Sequence, residues 1–153
     1  MIALLLFSCS AIEKQQGSGY LDDNLSDRWD LSKKRLGDKV IYVDTSNYGK
    51  IARLNNTASN PAENLKINNS IQLSLIEALD SASISGGNIA ISGYSSEETY
   101  RAVVDSFKEF KGVFTQSVKI LYIGNKKYKS QIKRLVESKG GIFQYANRPK
   151  TAL

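Results

Sequence analysis

NIAISGYSSEETYRAVVDSFKEF, residues 88–110, sets a strand, a turn and a helix end to end. Asn88-Ile89-Ala90-Ile91-Ser92 is a short β-branched run of the kind that fits a buried strand. Gly93-Tyr94 breaks it. Ser95, with Glu98 three residues on, makes a capping box: the hydroxyl serves an orphan backbone N–H and the carboxylate reaches back. Tyr100, Val103, Val104, Phe107 and Phe110 then fall on one helical stripe, and Gly112 supplies the stop. A strand feeding directly into a capped amphipathic helix is the repeating unit of an α/β sheet.

The same grammar extends in both directions. Downstream, Ser117–Ile123 (SVKILYI) predicts a strand. Tyr128, Ile132, Leu135 and Val136 mark a helix closed by Gly140-Gly141, and Ile142–Ala146 is a final strand. Upstream, Asn69–Ala82 predicts a helix with Ile71, Leu75, Leu79 and Ala82 on one face, widened by Leu73 and Ile76. Asn55–Asn64, rich in Asn, Ser and Thr and holding Pro61, reads as a loop. Ile51–Leu54 offers a short strand, and Lys39–Asp44 a clear one.

The order is thus β-α-β-α-β-α-β, a single sheet with helices packed on it: an α/β sandwich. The chain divides into a head at 1–8, a tether at 9–37, the α/β domain at 38–148 and a tail at 149–153. Within the tether, Gly17-Ser18-Gly19 is a hinge. Leu21, Leu25, Trp29 and Leu36 lie at near-helical spacing, which predicts a short helix or turn that docks Trp29 on the core. With 153 residues, 41% of them hydrophobic, the chain suits one domain with a real core.

Chemistry is constrained by what the chain lacks. It has no His and one Cys. That excludes Ser-His-Asp and Cys-His catalysis, an internal disulfide and the common zinc sites. Neither a phosphate loop nor a dinucleotide fingerprint occurs. Gly93-Tyr94-Ser95-Ser96 and Ile123–Lys127 sit at strand-to-helix junctions where backbone N–H groups could hold an anion, yet both read more simply as turns. Glu97-Glu98 opens a helix, where the dipole alone explains acids. No catalytic residue, metal ligand or cofactor is expected.

The net charge of +6 is uneven. Between Val118 and Lys150 lie nine basic residues and one acid, Glu137. Lys126, Lys127, Lys129, Lys133 and Arg134 are the candidate contacts on this basic third. Such a face suits acidic lipids, an acidic protein or nucleic acid, or simply keeps the protein in solution.

The head resembles the end of a bacterial lipoprotein signal peptide. An apolar run, Ile2–Phe7, meets Ser8 and Cys9, and Leu6-Phe7-Ser8-Cys9 looks like a lipobox followed by the polar run Ser10–Gly19. No Lys or Arg precedes Cys9, so Met1 reads as an internal methionine with basic residues upstream. The run is too short to cross a bilayer, which takes about 20 apolar residues. The resemblance implies acylation of Cys9 and a chain anchored to a membrane by lipid. With Ser10 rather than Asp after the cysteine, it implies the outer membrane of a Gram-negative bacterium, facing the periplasm.

Three family resemblances follow from the rest. Residues 88–110 look distantly like the centre of OmpA-like periplasmic domains, with Gly93 and Arg101-Ala102 in comparable places. This implies peptidoglycan as a partner through Arg101, although Ser95-Ser96 stands where that family has its Asp. The layout as a whole resembles small lipoproteins of Flp/Tad-type pilus assembly. That implies a non-catalytic component of a pilus, secretion or conjugation machine, with an envelope protein complex as partner. Finally, Arg134–Ile142 resembles the helix-Gly-Gly-strand step of BRCT domains. It implies a cytosolic nucleic-acid or phosphoprotein binder, a reading that requires the head not to be a signal and ranks last.

Overall fold

The computed structural model describes residues 19–46, 48 and 61–148. Helix α1 (Gly19–Leu36) leads into strand β1 (Ile41–Asp44). Helix α2 (Pro61–Ser85), strand β2 (Gly87–Ser92), helix α3 (Ser96–Glu109) and strand β3 (Val118–Gly124) follow. A 3-10 turn (Lys126–Tyr128) runs into helix α4 (Lys129–Ser138), and strand β4 (Ile142–Asn147) closes the fold. The four strands lie in the order β1-β2-β3-β4, every pair parallel, with Ile89 opposite Ile41 and Ile120 and Tyr122 opposite Tyr145.

A parallel sheet in simple sequential order needs every crossover to have the same hand, so its connecting helices share one face. They do. Leu75, Ala78, Leu79 and Ala82 of α2, Val103 and Phe107 of α3, and Ile132 and Val136 of α4 pack on Val43, Ile89, Ile91, Ile120 and Tyr122. Because strand side chains alternate, the intervening residues point the other way. Val40, Ala90, Leu121, Ile123 and Ala146 form a second, smaller core with Leu36, joined by Leu31 and Tyr42.

That second face is covered by α1, which begins within the segment read as a tether. Trp29 docks edge-on against Tyr42, ring centroids 5.9 Å apart. Asn88 Nδ2 donates to Leu36 O at the start of β2, and Arg28 reaches Ser92 at its end. So α1 runs antiparallel to the strands, and its first turns project about 13 Å past the carboxyl edge of the sheet, at 1.5 Å per residue.

One element boundary and one face assignment differ from the sequence reading. Helix α2 starts at Pro61, eight residues before the expected Asn69, so residues 61–64 are helix rather than loop. Proline at the first helical position needs no N–H partner and has its φ already set. Leu73, placed on the apolar face by sequence, is 55% exposed; two residues before Leu75, it sits on the far side of the helix. The short strand at 51–54 and the tail at 149–153 lie outside the described residues. The Ser95 cap is present: its Oγ accepts from Glu98 N at 3.4 Å. Gly140, with φ +85°, takes the left-handed turn after α4 that lets the chain re-enter as β4.

Candidate functional site

Ligands of parallel α/β sheets sit at the carboxyl ends of the strands. Here that edge is built from hydroxyls and amides. After β1, Asp44 Oδ1 accepts from Ser46 N (3.0 Å) and Ser46 Oγ (2.6 Å), and Ser46 Oγ accepts from Tyr94 N (2.9 Å). Thr45 Oγ1 lies 3.1 Å from Ser92 O and 2.7 Å from Thr99 Oγ1. Such closeness between the ends of β1 and β2 needs glycine at 93: a Cβ there would stand 2.5 Å from Thr45 Oγ1 and 2.9 Å from Ser46 N.

The stitching continues across the sheet. Ser92 Oγ donates to Ile123 O at 3.0 Å. Ser96 Oγ accepts from Asn125 N at 2.8 Å, and Asn125 Oδ1 accepts from Lys127 N at 2.9 Å. The two strand-to-helix turns singled out in the sequence are therefore bonded to each other. Tyr145 OH donates to Asn147 Oδ1 at 2.6 Å. Thr45, Ser46, Ser92 and Thr99 are all buried, and buried hydroxyls are tolerated because they are bonded.

The basic third is divided by the fold. Lys126, Lys127 and Lys129 gather at the carboxyl edge, beside Arg148 at the end of β4. Lys127 Nζ stands 5.3 Å over the Tyr128 ring and Lys129 Nζ 5.2 Å over Tyr145; Tyr128 stacks on Tyr100 at 4.8 Å. Lys133 and Arg134 are exposed on α4, Lys133 lying 3.9 Å from Glu137. Lys119 and Lys139 belong to the opposite edge, Lys119 at the start of β3 and Lys139 after α4. Arg101 lies on the exposed side of α3, in an ion pair with Glu97 one turn earlier. Cys9 lies outside the described residues.

Sequence reasoning missed Arg28. It is 1% exposed. Its Nη1 donates to Ser92 Oγ at 3.4 Å, and its guanidinium carbon stands 5.3 Å over the Tyr94 ring. Arg28, Ser32 and Leu36 share the buried stripe of α1. A stripe that mixes a charge, a hydroxyl and one aliphatic gives no hydropathy signal; only the four-residue spacing hints at it.

Near the other end of the edge, Tyr48 OH donates to Asp105 at 2.7 Å. Burial, and then this bond to a carboxylate, push its phenol well above the ordinary tyrosine range. Burial also raises the Tyr122 phenol.

Among the described residues, no helix is long and apolar enough to cross a membrane, and no three His, Cys, Asp or Glu side chains gather as a metal site would require. No protein-family model matches the chain, nor does any curated protein or solved structure.

Proposed function

We propose that this chain is an outer-membrane lipoprotein, acylated at Cys9 and held on the periplasmic face. Its α/β domain serves as a non-catalytic interaction component of a cell-envelope machine such as a pilus, secretion or conjugation system. The observation that carries this reading is the apolar run Ile2–Phe7 ending at Ser8 and the chain's sole cysteine. Several acyl chains hold a protein firmly where one holds it marginally.

The direction of α1 supports the reading. Its first residue, Gly19, projects beyond the carboxyl edge, and the ten residues from Cys9 to Gly19 reach at most about 35 Å. An anchored domain would carry that edge close to the lipid. The hydroxyls and amides there are bonded to one another, while Lys126 and Lys127 stay exposed. That arrangement suits holding an acidic protein surface.

Growing cells on an alkyne fatty acid and taking the intact mass of the mature protein tests the anchor. The expected result is a labelled chain beginning at Cys9, with label lost in Cys9→Ser. An unlabelled, unprocessed chain in the soluble fraction rejects the reading. A pull-down on purified sacculi separates the neighbouring idea: binding that disappears in Arg101→Ala would replace the adaptor role with peptidoglycan recognition.

A further inference from the structure

We propose that the outer edge of β4 takes an added strand: an extended, acidic segment of a partner protein, its acids toward α4 and its apolar residues toward Ile142. This deepens the adaptor role by naming the partner's chemistry; it rests on that role and not on the anchor.

β4 borders the sheet. It pairs with β3 along its whole length, from Ile142 with Lys119 to Asn147 with Gly124, and among the described residues no strand lies beyond it. Alternate residues of such a strand turn their N–H and C=O groups outward, a template about 20 Å long for another chain. Folded proteins blunt an edge with charge, proline, a bulge or short length. β4 uses none of these. Ile-Phe-Gln-Tyr-Ala-Asn is six residues long, has no charge and no proline, and keeps register with β3 without a skip. The strand at the other border, β1, has four residues and ends in Asp44.

The surroundings select the occupant. Tyr128 stacks on Tyr100, so that flank of α4 faces α3. Lys129 leans the other way, its Nζ 5.2 Å over the Tyr145 ring of β4. Lys133 follows one turn later on the same flank and is exposed. Both lysines therefore lie along the β4 edge on the α4 side. Between Val118 and Arg148 the chain has one acid, Glu137. It stands 3.9 Å from Lys133 at an exposed position, where such a pair is weak.

The other face of β4 is different. Ile142 shares it with Ala146 and is 45% exposed. Side chains of an added strand alternate between the two faces. A strand whose acids meet Lys129 and Lys133 lays its intervening residues beside Ile142, and apolar groups suit that place. A second copy of this chain fits less well, because it sets a net charge of +6 against itself.

The test adds capped eight-residue peptides to the full chain and follows its backbone amide resonances. The peptides are alternating Glu-Val, alternating Lys-Val, and Glu-Val N-methylated at every amide. Glu-Val is expected to give saturable shifts centred on Ile142–Asn147 and slower amide exchange along that strand. Lys-Val should not bind. N-methylation removes every peptide donor and should weaken binding at least about tenfold. Lys129→Glu with Lys133→Glu should do the same, since repulsion replaces two attractions, and a thermal melt confirms that this variant is folded. Absence of saturable Glu-Val binding, or binding that survives N-methylation, overturns the proposal. So does a dimer that forms with rising concentration and protects β4 without peptide, which gives the edge to a second copy. Binding kept in the Lys129 and Lys133 variant but lost in Lys126→Glu with Lys127→Glu also overturns it, and leaves the adaptor role standing.

Discussion

The two faces of the sheet solve the same problem differently. The face that meets α2, α3 and α4 is filled by large aliphatic and aromatic groups, among them Leu75, Leu79, Ile89, Ile91, Ile120 and Phe107. The face that meets α1 uses Ala90 and Ala146 beside Leu121 and Ile123, and it buries Arg28 and Ser32. Small residues on the sheet let one helix come close, and that closeness lets a long arginine lie flat to the strand ends. One face stores stability. The other gives up apolar area to place a charge.

From that contrast, damage to the first face should cost most. Ile120→Ala empties a fully buried position under three helices, and a loss of about 2–5 kcal/mol is expected in urea unfolding. Ala90→Leu should cost about 1–3 kcal/mol by crowding. Its signature is selective: amide exchange should quicken in α1 while α2, α3 and α4 stay protected. Equal loss of protection everywhere would erase the distinction between the faces.

Ser106 sits on α3, fully buried, and its Oγ has no hydrogen-bond partner among the described residues. Ser106→Ala removes a dehydrated hydroxyl, and the midpoint of thermal unfolding should rise, by about 1 kcal/mol in stability.

The α3 side also holds a titrating group. The Tyr48 phenol is raised in the folded state by burial and by Asp105, so above pH 10 the unfolded chain loses this proton first. Its contribution is complete below pH 10 and is lost as pH rises further. Tyr48→Phe should give a shallower alkaline decline than the parent in melts across that range.

The smallest effect belongs to the exposed pair of Arg101 and Glu97. Arg101→Gln should change stability by under about 0.5 kcal/mol, and added salt should remove the difference.

Much of the first face was legible in the sequence because it obeys a single rule. Leu75, Leu79 and Ala82, and likewise Val103, Phe107 and Phe110, recur at helical spacing and are buried. The strands announced themselves as β-branched runs. The early start of α2 was hidden because Asn64, Asn68, Asn69 and Ser70 give its first half the composition of a loop. Helix α1 was half visible: Trp29 was expected to dock, yet its buried stripe carries Arg28 and Ser32 and has no apolar period.

The carboxyl edge was the least legible part. Arg28 and Ser92 are 64 residues apart, and only the packing of α1 on the sheet brings them together. The basic third, continuous along the chain, was split between opposite edges by the reversal of α4. Linear charge clustering says nothing of that, because a helix of ten residues spans about 15 Å, enough to carry its two ends to different edges.

The opposed run of α1 also has a mechanical meaning. Force drawn through the segment ahead of Gly19 enters the domain at the first turn of that helix and works along it toward Leu36. Contacts then part in succession, like a strip lifted from one end, and Trp29 and Arg28 yield before Leu36 and the turn at Gly37. Tension would bare Ala90, Leu121 and Ile123 while the three-helix side stayed closed.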